Sequence, residues 1–536
     1  MSAMLQCPFP TRTEHSRTAS VLQALRPQFK IGLFAFCLTL GACTSGIQQN
    51  TVEKEVTASE AQRIYTTVLD HVHKMYLDEI PVSRLALEGL AGLRKLEPDA
   101  ALRRESGRVA LLVNGTMVGD VQEPVQGQAK QWAAVMDKLV AAGQKSSSKL
   151  SGAGSEKIYK VTIDALLSDL DRYSRYDGKT AGRQNRESRE GFGGIGVSIV
   201  AHQDGVRIER VTPDLPAYRA GVVAGDVFTT ADGAPLRGVS LRRGVQLLRG
   251  PMGKPVQVTV QRESLPDPFV LTISRTRIIP ITVHYEKRNR FAYLRITGFN
   301  QDTAAELREG VTKAIEEFGD KLSGLVLDLR SNPGGLLDQA VNAADMFLQE
   351  GRISTTQGRH PDSLQLFDAS EDEIAHGLPL IVLVNGASAS ASEVLAAALQ
   401  DQGRAVLVGS SSFGKGTVQT VIRLPNDGEL ILTWARLLAP SGYILNQVGV
   451  LPTLCTSDTA DAASAVKRAF MGNTTRRQIA MHHRVAGNGK RSAIAKPCPW
   501  QPHKGDDIDI AVAKRLLERP ELYNHALRLT APAAGG

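Results

Sequence analysis

A strand–turn–helix pattern just before residue 390 constrains the fold more than any other feature of this chain. Five consecutive apolar residues, Leu380–Val384, lead into an Asn385-Gly386-Ala387 turn and then into a helical pattern over Ser392–Leu399. A short apolar run followed by a turn and a helix is typical of a buried strand in an α/β sheet. We therefore expect Ser390 to lie above a sheet edge, beside backbone amides that could stabilise an oxyanion.

A lysine follows that serine 25 residues later, at Lys415, between two glycines. A lysine acts as a general base only when burial lowers its pKa, and the neighbours of Lys415 are largely apolar. The sequence has no histidine between His376 and His482 that could replace it. Gln419, on the strand pattern that follows, is a candidate to orient the lysine amine. The plainer alternatives are a helix-capping role for Ser390 and a solvated loop position for Lys415.

The segment that contains Lys415 also resembles a nucleotide-binding loop. Gly409–Lys415 has the spacing GxxxxGK after an apolar run. A phosphate-binding loop needs Ser or Thr after the lysine and then a helix. Here Gly416 follows, and the alternating pattern of Val418–Leu424 predicts a strand. We exclude nucleotide binding.

Composition argues against a nucleic-acid partner, and the chain length limits the number of domains. The 536 residues carry a net charge of +8, spread along the chain, and aromatic residues make up 5%. Neither a basic block nor a base-stacking surface is therefore expected. The length is sufficient for two or three domains. No cofactor or metal site is expected, since His482-His483 alone is a weak zinc signal.

The N-terminus has the pattern of an export signal. Arg26 and Lys30 precede the apolar run Ile31–Leu40, which ends in Leu40-Gly41-Ala42-Cys43. A basic region, a short apolar region and small residues before the cleavage site define such signals, and the run is too short to span a membrane. Cys43 is placed as in bacterial lipoprotein signals. We predict cleavage before Cys43, a lipid anchor on it, and a periplasm-facing lipoprotein of the bacterial cell envelope. The alternative is an ordinary signal peptide.

Two cysteines remain outside this signal and its anchor, Cys455 and Cys498. In an oxidising compartment they could form one disulfide across the C-terminal region.

The chain divides by pattern into a signal (1–43), a helical N-terminal region (44–189), a β-rich module (190–278), an α/β core (279–455) and a C-terminal extension (456–536). In the N-terminal region, Arg108–Val121 reads as a hairpin with an Asn114-Gly115 turn. The Ser/Gly-rich stretch 144–156 predicts a flexible linker. The stretch 455–505 reads as irregular, followed by one helix near Asp509–Glu518.

The β-rich module has five strand patterns and two short helical ones, an order that resembles a PDZ domain. Gly193, Gly194, Ile195 and Gly196 fall where PDZ domains have their carboxylate-binding loop. The resemblance implies that these residues bind a free protein C-terminus, with the tail added as a strand to a sheet edge.

Three blocks extend the resemblance to the carboxyl-terminal processing (tail-specific) peptidases: DLRSNPGG (328–335), NGASASASEVLAAALQD (385–401) and GSSSFGKGTVQT (409–420). Further matches are LDRYSRY (170–176), GFGGIGV (191–197), AYLRITGF (292–299) and LAPSGYILNQVGVLP (438–452). The resemblance implies a multidomain α+β chain: a helical N-terminal region, a PDZ domain and an α/β, crotonase-like Ser/Lys peptidase core. Three departures are Thr453, where an acidic residue is usual, the insertion-like stretch 97–157 and the enlarged stretch 455–505.

Carried over by motif, Ser390 is the nucleophile, Lys415 the general base and Gln419 its orienter. The Ala391 amide, with that of Gly334 or Gly335, would form the oxyanion hole. Asp401 and Arg330 would support the site. The implied activity is that of a serine endopeptidase acting through an acyl-enzyme on protein or peptide substrates with a free C-terminus. An adaptor protein or a second copy of the chain could take part.

Two other functions are compatible with parts of the pattern. A catalytically silent PDZ-containing scaffold would bind tails without cleaving them, but it would not need Ser390, Lys415 and Gln419 together. A crotonase-like acyl-transforming enzyme would share the core, but nothing in the sequence resembles a coenzyme A site.

Overall fold

The computed structural model describes residues 58–125, 128–370, 373–471, 478–482, 497–501 and 507–530. The predicted signal and Cys43 lie outside the described residues. Within the described ranges, no helix combines the length and the apolar character that crossing a bilayer requires.

The N-terminal region is a helical layer with a small antiparallel sheet. Its elements are α1 (Glu60–Met75), α2 (Val82–Ala91), β1 (Ala100–Glu105), β2 (Arg108–Val113), β3 (Thr116–Gln122), α3 (Ala129–Ser146), α4 (Ser148–Ser151) and α5 (Ser155–Leu167). The predicted hairpin is confirmed as β2 and β3, and β1 adds a third strand. The predicted flexible linker is wrong, because Leu150 is fully buried and anchors α4 in the core of this region.

A connecting segment leads from these helices to the next domain. It contains β4 (Arg175–Asp177) and α6 (Lys179–Glu190). Arg186 and Arg189 on α6 both bind the buried carboxylate of Glu429, at 3.1 and 2.7 Å.

The β-rich module contains the predicted strands and helices. They are β5 (Phe192–Gly194), β6 (Val197–His202), β7 (Gly205–Val211), α7 (Pro216–Arg219), β8 (Val227–Ala231), β9 (Ala234–Pro235), α8 (Leu241–Leu248), β10 (Pro255–Gln261), β11 (Phe269–Ser274) and β12 (Thr276–Ile278). The main sheet has the order β11-β10-β8-β7-β6, which leaves β6 at an edge, and β12 pairs with β5.

The core is a three-layer α/β/α unit. Its first elements are β13 (Val283–Arg288), β14 (Phe291–Ile296), α9 (Thr303–Phe318), β15 (Gly324–Asp328) and α10 (Leu337–Asp345). They are followed by β16 (Arg352–Gln357), β17 (Gln365–Asp368), β18 (Leu380–Val384), α11 (Ala391–Asp401), β19 (Val406–Gly409), β20 (Thr417–Arg423), β21 (Glu429–Leu438) and β22 (Leu454–Cys455).

The central sheet has the order β13-β14-β15-β18-β19-β22 and is parallel from β14 onward. Alternate residues of β15 face opposite layers. Leu325 and Leu327 pack with α9, α10 and α11. Val326 packs with helices near the C-terminus. Burial on both faces explains the continuous apolar runs in the sequence.

A second sheet, of order β17-β16-β21-β20, lies beside the first, and β4 pairs with β21. The alternating pattern of Val418–Leu424 predicted β20, whereas no pattern predicted β16 or β17.

The C-terminal extension is more regular than predicted. It contains α12 (Ala462–Phe470) and two further helices, Ile508–Leu517 and Pro520–Thr530. Val466, Val512 and Leu516 cover the outer face of the central sheet, which is why the extension folds as part of the core.

Candidate active site

The turn after β18 holds Ser390 in a strained conformation. Ser390 is the residue before α11 and has φ +58° and ψ −116°, which is uncommon for a non-glycine residue. Ser388 Oγ donates to the Leu329 carbonyl at 2.8 Å, and Ser392 Oγ donates to the Asn332 carbonyl at 3.0 Å. The two flanking serines therefore fasten the turn to the loop after β15, while Ser390 is presented at the carboxyl edge of the sheet.

The amide of Ala391, next to Ser390 in the chain, and the amide of Gly335, next to Gly334, have no hydrogen-bond partner among the described residues. The Gly334 amide is already engaged, since it donates to Asn332 Oδ1 at 2.9 Å. Gly334 lies directly against the turn, because a Cβ there would be 2.9 Å from Ser390 Cβ and 3.0 Å from the Ala391 nitrogen. Of the two candidate glycines, Gly335 is therefore the one whose amide is available to act as the second donor.

Glu393 connects the serine turn to the lysine loop. Its fully buried carboxylate accepts the Ser390 amide and the Lys415 amide on the same oxygen, each at 2.8 Å. The other oxygen accepts Ser412 Oγ at 2.5 Å and the Gly414 amide at 2.7 Å. Burial raises the pKa of Glu393, and these hydrogen bonds oppose that rise. One carboxylate thus fixes the backbone at both candidate catalytic residues.

The glycines on either side of Lys415 are required by close backbone contact. A Cβ on Gly416 would lie 1.9 Å from the Asn446 nitrogen, and one on Gly414 would lie 2.9 Å from the Gln447 carbonyl carbon. The segment at 445–448 therefore lies directly against the lysine loop, which explains the FGKG sequence.

The side chain of Lys415 lies in a partly buried position. Its Nζ is 5.1 Å from the centroid of the Tyr173 ring. Burial and the positive charge of Arg175 lower the pKa of Lys415, while Glu393 and Asp171 oppose that effect. A lowered pKa increases the fraction of neutral lysine, the form able to accept a proton.

Gln419 lies on β20, with its side-chain amide fixed by two threonines. Nε2 donates to Thr417 Oγ1 at 3.0 Å and to Thr433 Oγ1 at 3.2 Å. Both amide hydrogens are engaged, so the side-chain oxygen is the atom left to accept from another group.

The glycine-rich turn of the β-rich module is held through its carbonyl groups. The carbonyls of Gly193, Ile195 and Gly196 accept amides of Gly250, Ala217 and Thr212 at 2.8–3.0 Å. No partner is recorded within the described chain for the amides of Ile195 and Gly196. The turn precedes the edge strand β6, and Gly244 of α8 lies against Ile199 of that strand. A strand edge, a helix and two available amides are therefore found in the same part of this module.

Comparison with known proteins decides the family. A model of peptidase family S41 matches residues 290–455, and a PDZ domain model matches residues 184–261. The chain is 38% identical over 301 residues to the carboxy-terminal-processing protease of Bartonella bacilliformis, an alignment covering 56% of this chain and 69% of that protein. The chain belongs to peptidase family S41. It is a serine-type peptidase with a PDZ domain.

Other relatives of this S41 peptidase include a Staphylococcus aureus protein named "Probable CtpA-like serine protease", 36% identical over 309 residues. That alignment covers 57% of this chain and 61% of the relative. Among solved structures, the photosystem II D1 C-terminal processing protease is 24% identical with a TM-score of 0.38, covering 74% of this chain and 92% of that one.

Arg330 and Asp401 hold loops of the S41 core in place. Arg330 binds Asp328 at 2.7 Å and, from the C-terminal extension, Asp507 at 2.8 Å and Asp509 at 3.0 Å. Asp401 accepts the backbone amide and hydroxyl of Ser441. Both residues contact structural partners.

A short segment of the C-terminal extension lies against the lysine loop. Cys455 on β22 and Cys498 are joined by a disulfide. The Cys498 carbonyl accepts the Ser411 amide at 2.8 Å. A Cβ on Gly386 would lie 3.2 Å from Trp500 Cβ, so the same segment also touches the turn before Ser390.

Sequence reasoning missed Glu393 and the contacts of the LDRYSRY block. The signal for Glu393 was present, because a serine followed three residues later by glutamate is a capping-box pattern. The contacts of Asp171 and Tyr173 had no local signal, since they form across more than 240 residues.

Proposed function

We propose that this S41 peptidase is an envelope endopeptidase that cleaves with a Ser390/Lys415 dyad and recognises protein C-termini through its PDZ domain. The observation that carries the proposal is the shared carboxylate of Glu393, which accepts the amides of both residues on one oxygen. The lowered pKa of Lys415 supports its role as the base.

In the proposed mechanism, neutral Lys415 takes the proton of Ser390 as Oγ attacks a backbone carbonyl. The amides of Ala391 and Gly335 donate to the oxyanion that forms. The leaving amine takes a proton from Lys415, and an acyl-enzyme remains on Ser390. Water, activated by neutral Lys415, then hydrolyses the ester. Gln419 would accept a hydrogen bond from the lysine amine through its side-chain oxygen and so orient it.

Recognition of the substrate is assigned to the groove between β6 and α8. The available amides of Ile195 and Gly196 suit a terminal carboxylate, and the edge of β6 suits an extended tail. We infer that Gly193 and Gly194 shape this turn.

The envelope location rests on the N-terminal sequence, with Cys43 as the lipid-bearing residue, and on the disulfide, which suits an oxidising compartment. An adaptor protein or a second copy would act on this anchored enzyme.

The test compares the full chain with Ser390→Ala, Lys415→Ala and the exposed control Lys313→Ala. Each is incubated with an unfolded protein ending in a free apolar tail, and products are read by intact mass. The proposal predicts cleavage by the wild type and Lys313→Ala, and none by the other two variants.

A matched substrate with an amidated C-terminus tests recognition separately. We expect a higher KM for it, because the carboxylate is missing. Equal cleavage of both substrates would contradict the role of the PDZ groove. Binding without cleavage by every variant would favour the silent scaffold.

A further inference from the structure

The LDRYSRY segment (170–176) lies beside the lysine base, although it is far from it in sequence. The Tyr173 ring is the one whose centroid lies 5.1 Å from Lys415 Nζ. The next residues form β4, in which Arg175 pairs with Ile431 and Tyr176 with Leu430 of β21. The N-terminal region therefore contributes one wall of the site, held in place by the second sheet.

The carboxylate of Asp171 organises this segment. Oδ1 accepts the amides of Tyr173 and Ser174, at 2.7 and 3.0 Å, and Oδ2 accepts Ser174 Oγ at 2.6 Å. Ser174 Oγ in turn accepts the amide of Thr433, at 3.1 Å. Ser174 and Thr433 are buried, so water does not compete for these contacts.

A directional chain of hydrogen bonds runs from Asp171 to Gln419. Thr433 Oγ1 donates its hydrogen to Asp171 Oδ1 at 3.1 Å and accepts Gln419 Nε2 at 3.2 Å. A carboxylate only accepts, so it sets the direction of the Thr433 hydroxyl and, through it, which end of the Gln419 amide faces Thr433. The Gln419 oxygen is thereby kept for the lysine amine.

We propose that Asp171 is a positioning residue for the lysine base: it fixes the Gln419 amide through Thr433 and the Tyr173 ring through its backbone. The inference rests on the proposed Ser390/Lys415 mechanism and adds to it a residue outside the peptidase core.

The electrostatic surroundings define a second effect of Asp171. The groups that act on Lys415 are Arg175, Glu393 and Asp171, with the Tyr173 ring against Nζ. Asp171 itself faces Tyr76, whose pKa is raised by burial and by this carboxylate. Since the negative charge of Asp171 favours protonated Lys415, its removal lowers the pKa of Lys415 further.

The experiment compares Asp171→Asn with Asp169→Asn in the full chain. Asp169 lies two residues away in an exposed pair with Arg84 and serves as the matched control. We expect Asp171→Asn to lower kcat about 10- to 100-fold, as loss of a supporting contact does at other sites, with KM within about twofold. We also expect the rise of kcat with pH to move to lower pH. Asp169→Asn should match the wild type in kcat, in KM and in the pH dependence of kcat.

A purely structural role for Asp171 would lower the amount of folded enzyme without moving the pH profile. If Asp171→Asn does not fold, Thr433→Val removes the same link and leaves the Asp171 turn intact. A folded Thr433→Val with wild-type kcat, or Asp171→Asn with an unmoved pH profile, overturns the proposal. Full activity of Lys415→Ala would instead overturn the proposed dyad itself.

Discussion

The two halves of the proposed dyad are held in different ways. Ser390 is fixed by contacts within one strand–turn–helix unit and the neighbouring loop, from Leu329, Asn332 and Glu393. The lysine loop also depends on Tyr173 of the N-terminal region and on Cys498 of the C-terminal extension. The nucleophile is thus held mainly by contacts within the core, with Trp500 of the C-terminal extension against the preceding turn, whereas the lysine loop takes contacts from three distant parts of the chain. Changes outside the core should therefore affect the base first.

The largest effect on kcat should come from Gly334→Ala, which should displace the backbone around Ser390. The new Cβ would meet the Ala389 carbonyl oxygen at 2.7 Å and Ser390 Cβ at 2.9 Å, at a glycine with φ +101°. We expect kcat to fall about 10²- to 10³-fold, the range for a displaced oxyanion donor.

The matched control is Gly319→Ala, at a glycine with positive φ but nothing within 4 Å of the added Cβ. It should cost about 1 kcal/mol of stability and leave kcat unchanged. Steady-state kinetics and thermal unfolding of both variants measure this. Equal kcat for the two alanine variants would show that contact with the serine turn is unimportant.

A smaller effect on kcat is expected for Glu393→Gln, which should disturb both the Ser390 turn and the lysine loop. The carboxylate accepts four hydrogen bonds, and an amide nitrogen in its place would face donors. We expect the free energy of unfolding to fall by about 1–3 kcal/mol, and kcat to fall by roughly tenfold or more. Glu518→Gln, in an exposed pair with Lys514, is the control. Wild-type kcat in Glu393→Gln would mean that the two halves are positioned independently.

The smallest effect on activity is expected where the C-terminal extension meets the lysine loop. Replacing Cys455 and Cys498 by serine opens a disulfide between residues 43 apart, which should lower the free energy of unfolding by about 2–4 kcal/mol. Activity should fall about tenfold or less, since a single neutral hydrogen bond, from Ser411 to Cys498, is weakened.

Reduction of the wild type should reproduce both changes, and reoxidation should reverse them. An unchanged unfolding temperature after reduction would contradict a stabilising role for the disulfide of the C-terminal extension.

The same contrast explains what the sequence could predict. The buried strand, the Asn385-Gly386-Ala387 turn and the helix after Ser390 follow from local pattern, and all three are present. The predicted flexible linker at 144–156 failed because Ser and Gly composition says nothing about Leu150, which tertiary packing buries. Likewise, β16 and β17 were missed because neither has an apolar pattern: two of the buried residues of β16, Ser354 and Thr356, are polar, and β17 is largely exposed.

The surroundings of Lys415 were the least predictable part of the site. Its flanking glycines are visible in the sequence, but their cause is the backbone at 445–448, which comes close only in the folded chain. Tyr173 and Asp171 meet the lysine loop and β21 across long stretches of sequence, and no periodicity records such contacts.

The central claim, that neutral Lys415 activates Ser390, is tested most directly by the pH dependence of Ser390 acylation. The rate of single-turnover labelling by a fluorophosphonate would be measured from acid to alkaline pH in the wild type and in Lys415→Ala. Because burial and the charge of Arg175 lower the pKa of Lys415, the wild-type rate should rise with pH about a midpoint below the ordinary lysine value. Lys415→Ala should be slow and lack this rise. A flat wild-type profile, or the same rise in Lys415→Ala, would contradict the account.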